Sequence, residues 1–134
     1  MKAVVVDTHT IVWYLIEPEQ LSENAIQALD QAVNTGQFIY VSAISIVEIC
    51  YLVERYRLPE LVLQRLLEVS DTSEQIIITQ PLNRIIAETL PQISRDIVPD
   101  MPDRIIAATA LHLGVPLITC DEKIRALTNI ETLW

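Results

Sequence analysis

The chain has 134 residues, of which 51% are hydrophobic and 2 are glycine, and its formal net charge is −9 at pH 7. This length suits a single domain, residues 1–134, whose folding buries roughly two thirds of the surface of the unfolded chain. The hydrophobic content excludes a disordered chain. The negative charge argues against nucleic-acid binding through overall charge, because affinity for phosphates usually comes from clustered Lys and Arg.

The sequence predicts neither a membrane span nor a secretion signal. The uncharged apolar stretch 105–120 is shorter than the roughly 20 apolar residues that a span requires, and so is the uncharged stretch 31–47. At the amino terminus, Asp7 ends the apolar run before it is long enough to be the apolar core of a signal peptide. Cys50 and Cys120 lie in apolar runs without the spacing of a zinc site, so we expect buried free thiols. We therefore expect a cytoplasmic protein.

The first predicted elements are a strand and two helices. A short apolar run, 3–6, predicts a strand, and Asp7 stands at its carboxyl end. Apolar residues then recur at helical spacing and predict a short helix. Ser22 is a candidate N-cap of an amphipathic helix that Gly36 ends. A second strand is predicted at 38–41.

Two helices form a predicted helical arm after this strand. Ser42 is the candidate cap of the first, which runs to about residue 56, and the second spans 59–69. The remaining predictions are strands at 76–79, 115–119 and 130–133, helices at 83–90, 103–113 and 121–126, and an irregular connection at 91–102. The strands are continuous apolar runs, which is typical of a parallel sheet covered on both faces. The predicted fold is therefore a three-layer α/β/α fold with a central, mostly parallel sheet of four to five strands.

Four carboxylates stand where such a fold brings side chains together. Ligands of open parallel sheets bind outside the carboxyl ends of the strands, and Asp7 and Asp121 each follow a predicted strand. Glu48 is the only charged residue in the apolar stretch 38–53. Asp103 opens an apolar helical run. We therefore expect these acids to meet at one edge of the sheet.

Several carboxylates at one place require a cation or bound protons. Two carboxylates about 4 Å apart repel each other by roughly 4 kcal/mol at an effective dielectric constant of 20. Oxygen ligands alone suit Mg²⁺ or Mn²⁺, whereas zinc prefers His or Cys. Such ions hold a phosphate, lower the pKa of an attacking water and stabilise the leaving oxygen. The pattern therefore predicts cleavage of a phosphate ester.

Each acid also has a structural explanation that the sequence leaves open. Asp7 and Asp121 stand where Asp favours a helix N-cap. With Asp100 as the N-cap and Pro102 in the first turn, an acid at Asp103 interacts favourably with the helix dipole. Glu48 can extend to solvent at the edge of its helix or pair with an Arg.

Polar and basic neighbours of the acids are secondary candidates. Thr8 and Thr119 carry hydroxyls suited to a water or a phosphate oxygen, with turn and cap hydrogen bonds as the alternative. Arg104 follows Asp103 directly and is a candidate for contacting the substrate or the acids. Lys123 and Arg125 follow Asp121, so a basic rim around the acids is compatible with the negative net charge.

The aromatic and histidine residues are interpreted as structural. His9 is expected to be a hydrogen-bonded structural residue outside the site, and His112 to pack either in the core or at the surface. Trp13 is predicted to lie in the core and Trp134 to cover an edge. Because aromatic residues make up only 5% of the chain, we expect no platform for base stacking.

Four blocks of the sequence resemble the PIN domain, specifically its VapC-like toxin branch. These blocks are 6–13, 41–48, 99–110 and 117–121, read as VDTHTIVW, VSAISIVE, PDMPDRIIAATA and LITCD. Each block is moderately specific, and together they extend the resemblance from end to end. The resemblance implies a Mg²⁺- or Mn²⁺-dependent ribonuclease. The residues at the family's acid positions are Asp7, Glu48, Asp103 and Asp121, with Asp100 as an auxiliary acid that either binds the metal or supports the acids that do.

The resemblance also implies partners. A PIN toxin acts on RNA and is often paired with an antitoxin, a small protein that blocks its site. PIN domains commonly pair, and the apolar helices at 43–69 exceed what one sheet face needs, so we expect a homodimer. The chain departs from the family at Met101 and Pro102, where an aromatic or small residue is frequent, and this affects the approach of Asp100.

Two other functions compete with a nuclease. One is a PIN-like protein that binds a partner without catalysis, which the negative net charge favours and the four retained acids oppose. The other is a phosphate-transferring domain, which would need a lysine or an Asp-x-Asp motif near the first strand. The sequence 7–9, Asp-Thr-His, supplies neither.

Overall fold

A computed structural model describes residues 3–134, and within them five strands form one sheet. The strands are β1 (Val4–Val6), β2 (Ile39–Ser42), β3 (Ile77–Gln80), β4 (Leu117–Ile118) and β5 (Thr132–Leu133). Their order across the sheet is β3-β2-β1-β4-β5, and all four pairings are parallel. The predicted parallel sheet is confirmed, and β1 lies at its centre.

Helices connect the strands and cover both faces of the sheet. They are α1 (Thr8–Ile16), α2 (Glu23–Thr35), α3 (Ala43–Glu54), α4 (Glu60–Val69), α5 (Arg84–Thr89), α6 (Met101–Leu113) and α7 (Glu122–Arg125), with 3₁₀ turns at Pro18–Gln20 and Leu90–Gln92. Successive side chains of a strand point to opposite faces. Val4 and Val6 accordingly join one core cluster with α1, α2 and α4, while Val5 joins a second with α5, α6 and α7. These two cores give the predicted three layers.

The predicted capping residues begin and end their helices as expected. The Ser22 hydroxyl accepts a hydrogen bond from the backbone N of Ala25, and Ser42 does the same for Ile44. Gly36 ends α2 at φ 68°, a left-handed conformation that glycine adopts without steric cost.

The predicted connection at 91–102 is wrong at both ends. Its first residues continue the 3₁₀ turn Leu90–Gln92, and α6 begins at Met101 rather than at Asp103. The helix starts early because the Asp100 carboxylate accepts from the backbone N of Asp103 at 3.2 Å and proline fits the first turn.

Several expectations about burial are revised. Cys50 and Cys120 are free thiols but only half-buried, since neither faces the centre of a core cluster. Trp13 is half-buried and packs against the first cluster, and His112 is exposed. In the part of the chain that is described, no helix has both the length and the apolarity to cross a membrane. Residues 1–2 lie outside the described chain.

Candidate metal centre

A cavity of about 720 Å³ opens at the carboxyl ends of β1 and β4. Among the described residues, six acids line it: Glu122, the exposed first residue of α7, and the five predicted acids Asp7, Glu48, Asp100, Asp103 and Asp121. The five predicted acids come from the end of β1, the middle of α3, the start of α6 and the turn after β4. The structure thus brings together the five acids that the sequence singled out, although their chemical roles stay predictions.

Asp7 is held in place by two hydrogen bonds. It is 6% exposed; its Oδ1 accepts from the backbone N of Thr10 at 2.9 Å and its Oδ2 from the Thr119 hydroxyl at 2.5 Å. The first bond caps α1, so the structural explanation of Asp7 holds. Each carboxylate oxygen has further lone pairs, so capping leaves acceptor capacity toward the cavity.

Thr119 connects this acid to a second one. Its fully buried hydroxyl donates to Asp7 and accepts from the backbone N of Asp121 at 3.0 Å. The Oδ1 of Asp121 accepts from the backbone N of Ile124 at 3.0 Å and caps α7. Through these two bonds Thr119 orients both acids. Because the single proton of its hydroxyl is donated to Asp7, Thr119 has no donor left for a substrate.

Glu48 is oriented by α1. The Thr8 hydroxyl donates to Glu48 Oε1 at 2.6 Å and lies 2.9 Å from the buried Ser45 hydroxyl. Ser45 and Glu48 are three residues apart on α3 and therefore share one helix face. Burial raises the pKa of Glu48; the Thr8 bond opposes this rise and the charge of Asp100 adds to it. Ser45 is a supporting residue that the sequence analysis missed and that the i, i+3 spacing would have indicated.

Asp103 shows the strongest electrostatic effect of the acids. Its pKa rises from 3.8 to about 7, first because of burial and then because of surrounding negative charges. Those charges, in decreasing order of effect, are Asp100, Asp121, Glu48 and Asp7. Among the hydrogen bonds of residues 3–134, none reaches the Asp103 carboxylate. The raised pKa therefore reflects the half-buried position of the Asp103 carboxylate close to four other acids.

Arg104 does not lie beside the acids, contrary to the role considered for it. Its guanidinium donates to the carbonyl oxygens of Ile93, at 2.8 and 3.2 Å, and of Leu90, at 3.0 Å. Adjacent helical residues point in different directions, so Asp103 faces the cavity while Arg104 faces α5. Arg104 anchors the 3₁₀ turn to α6.

The cavity also contains residues that the sequence analysis left outside the site or mentioned only as a rim. His9 is exposed and lines the cavity, as do Trp13 and the exposed Lys123. The rings of His9 and Trp13 have centroids 5.6 Å apart, and Trp13 lies 5.9 Å from Trp134. Lys123 gives the acids one basic neighbour on the rim, whereas Arg125 does not line the cavity.

A family model described as the PIN domain matches residues 4–130. The chain belongs to the PIN-domain family. It is 31% identical to "Ribonuclease VapC22" of Mycobacterium tuberculosis over 136 aligned positions, which cover 100% of both chains. The predicted resemblance to the VapC-like branch is thereby confirmed.

Solved structures support the same fold for this PIN domain. VapBC2 from Rickettsia felis, bound to a DNA fragment from its promoter, superposes with a TM-score of 0.70 at 14% identity and covers 96% of each chain. A toxin–antitoxin complex from Klebsiella pneumoniae gives a TM-score of 0.62 at 23% identity and covers 96% of this chain and 99% of that one. At such identities the agreement establishes the fold.

The acids of this PIN domain fit a divalent cation in donor chemistry. All of them supply oxygen, the donor that Mg²⁺ and Mn²⁺ prefer. In residues 3–134, no three His, Cys, Asp or Glu side chains converge on one ion position as they stand. Mutual repulsion favours separated carboxylates, so binding an ion would require side-chain rotation toward it.

Proposed function

We propose that this PIN domain is an endoribonuclease that uses a divalent cation to hydrolyse RNA phosphodiester bonds, and that it is the toxin of a toxin–antitoxin pair. The observation that carries the proposal is the meeting of five acids from four segments of the chain around one cavity. Burial and the four neighbouring acids also raise the pKa of Asp103 to about 7, which favours a cation there. The full-length relative named a ribonuclease supports RNA as the substrate.

The cation of the proposal is Mg²⁺ or Mn²⁺. Its ligands would come from Asp7, Glu48, Asp103 and Asp121, with Asp100 as an auxiliary ligand. When bound, such an ion lowers the pKa of an attacking water and stabilises the leaving oxygen of the phosphate. Nothing in this chemistry requires a side-chain nucleophile.

The residues of the chain position the reacting groups. Two hydrogen bonds fix the Asp7 carboxylate, and Thr8 fixes one oxygen of Glu48. These bonds limit the reorientation of Asp7 and Glu48, so the rotation that ion binding requires falls mainly on Asp103, whose carboxylate has no hydrogen bond among the described residues. With a pKa of about 7, Asp103 is partly protonated at neutral pH when no cation is bound, so cation binding there releases part of a proton per site.

Glu48→Gln tests the role of the cavity acids directly. The exposed Glu54 of the same helix supplies the matched control, Glu54→Gln. We expect Glu48→Gln to lose metal-dependent cleavage of a mixed RNA pool while Glu54→Gln keeps it. Equal activity of the two variants would contradict the proposed site.

The toxin assignment rests on partners seen in similar proteins. The Klebsiella pneumoniae structure is a toxin–antitoxin complex, and we propose a comparable small protein partner for this chain. Induced expression in bacteria without such a partner should arrest growth with the wild type and not with Asp7→Asn. Growth arrest by both would show that the effect does not depend on cleavage.

A further inference from the structure

A second cavity adjoins the acids. It has a volume of about 270 Å³ and shares Thr8, His9 and Trp13 with the larger cavity. The side chains that line it beyond these three are Val12, Glu17, Leu52, Arg57 and Leu58. We call this second cavity the side pocket. Val12, Leu52 and Leu58 give it an apolar part, and the residues that it shares with the larger cavity include His9 and Trp13.

These two rings offer a surface for a nucleobase. His9 is exposed, and its ring lies 5.6 Å from that of Trp13 at an interplanar angle of 48°. Trp13 packs against the core and against Trp134, so its ring is held in place. Bases stack on aromatic side chains with little dependence on sequence. The sequence analysis expected no stacking platform because aromatic residues are few, but that expectation took no account of where they lie in the fold.

Arg57 places an available positive charge in the same pocket. It lies between α3 and α4, where its backbone N donates to Leu52 O at 2.8 Å. In the described chain its exposed guanidinium forms neither a hydrogen bond nor an ion pair, whereas Arg65 donates to the Leu15 carbonyl. A guanidinium without a protein partner is well suited to a phosphate.

We propose that His9, Trp13 and Arg57 form a nucleotide subsite in the side pocket, which binds the nucleotide next to the scissile phosphate of single-stranded RNA. The base stacks on the His9 and Trp13 rings, and a backbone phosphate contacts Arg57. Glu17, the one acid lining this pocket, accepts from the Gln20 amide at 3.3 Å. This inference rests on the proposed ribonuclease function.

The size of the side pocket limits what it binds. Its 270 Å³ is slightly below the range of about 300–1,000 Å³ that is typical of small-molecule sites. That volume suits one nucleotide and excludes a duplex. The subsite therefore selects an unpaired nucleotide beside the cleavage position.

Salt-dependent binding tests the Arg57 contact. Affinity for short single-stranded RNA of mixed sequence is measured by fluorescence anisotropy in chelator, with Asp7→Asn as the background that prevents cleavage. Arg57→Gln should weaken binding and reduce the slope of log affinity against log salt by about 0.7, the value for one phosphate contact in single strands. Arg55→Gln, a change at an exposed arginine of the same turn, should leave both unchanged.

Fluorescence tests the stacking contact without removing a core side chain. In Trp134→Phe, Trp13 is the only remaining tryptophan of the chain's two. Titration with AMP should quench its emission, and adding His9→Ala should weaken AMP binding by roughly 5-fold or more, as expected for a lost stacking surface. A circular dichroism spectrum of each variant shows that it is folded before the titration.

The outcomes separate the subsite from the ribonuclease function. Unchanged RNA affinity and salt slope in Arg57→Gln, or absence of quenching by AMP, would overturn the subsite even if the wild type cleaves RNA. Failure of the wild type to cleave RNA with Mn²⁺ or Mg²⁺ would overturn the proposed function instead, whatever the binding data show.

Discussion

The Thr119 hydroxyl donates a hydrogen bond of 2.5 Å to Asp7 Oδ2 inside a fully buried connection between β4 and β1. The same hydroxyl accepts from the backbone N of Asp121, so one side chain sets the positions of two acids. We predict that Thr119→Val lowers the free energy of unfolding by about 1–3 kcal/mol, because two buried polar groups lose their partner. Denaturant unfolding in chelator measures this.

The same substitution should also reduce cleavage. Loss of a group that orients a metal ligand typically costs roughly 10- to 100-fold, and we expect an effect of that size in Thr119→Val. Thr119→Ser keeps the hydroxyl and should retain most of the activity. Equal losses in both variants would attribute the effect to packing of the methyl group rather than to the hydrogen bond.

The raised pKa of Asp103 predicts how stability depends on pH. The folded protein binds a proton at Asp103 more tightly than the unfolded chain does, with a pKa of about 7 against 3.8. Without metal, this group therefore destabilises the fold progressively as pH rises from 3.8 to about 7. Asp103→Asn mimics the protonated acid and should raise the melting temperature above pH 7, an advantage that shrinks as pH falls.

Asp96→Asn is the control for that measurement. Asp96 is exposed and does not line the cavity of the acids, so its substitution should leave the pH profile of the melting temperature unchanged. An Asp103→Asn profile parallel to that of the wild type would contradict the electrostatic account of the site.

The two capping acids at the rim should bind metal unequally. Asn is as good an N-cap as Asp and its substitution removes a charge that repels Asp103, so Asp100→Asn and Asp121→Asn should fold without loss of stability in the absence of metal. Asp121 is half-buried and fixed near Asp7 through Thr119, whereas Asp100 is exposed. We expect Asp121→Asn to weaken Mn²⁺ affinity by roughly 10- to 100-fold and Asp100→Asn by less. Calorimetric titration with Mn²⁺ gives both values, and the reverse order would contradict this ranking.

Self-association remains a prediction with a specific surface. The apolar side chains that α3 and α4 expose are Val47, Tyr51, Leu61 and Leu67, at 47, 56, 47 and 57%. If they pair two copies of the chain, Tyr51→Glu should convert a dimer into a monomer in sedimentation velocity, because burying an unpaired carboxylate is costly. A wild-type protein that sediments as a monomer would remove the prediction.

Local chemistry explains which parts of the fold were predictable. The caps Ser22, Ser42 and Gly36 act within a few residues of themselves, so their helices follow from short segments. The continuous apolar runs likewise predicted a parallel sheet. The start of α6 was misplaced because Asp100 both suits an irregular connection and caps a helix, and only the observed bond to Asp103 separates the two.

The site was predictable to the extent that topology determines it. Strand ends place Asp7 and Asp121 at one edge of the sheet, and an isolated acid in an apolar helix identifies Glu48. The direction of Arg104 and the meeting of Trp13 with Trp134 depend on how helices and the carboxyl terminus pack against each other. Such contacts between distant segments leave no periodic signal in the sequence.

Cleavage by Asp7→Asn tests the central claim most directly. Asn preserves the cap of α1 and the size of the side chain and removes the negative charge, but its amide nitrogen replaces the oxygen that accepts from Thr119. Denaturant unfolding of both proteins therefore accompanies the assay and identifies conditions in which the variant is folded. Both proteins, purified identically, are incubated with a mixed RNA pool in Mn²⁺, in Mg²⁺ and in chelator. The account predicts metal-dependent cleavage by the wild type and none by Asp7→Asn. Full cleavage by the variant, or cleavage by the wild type in chelator, would contradict it.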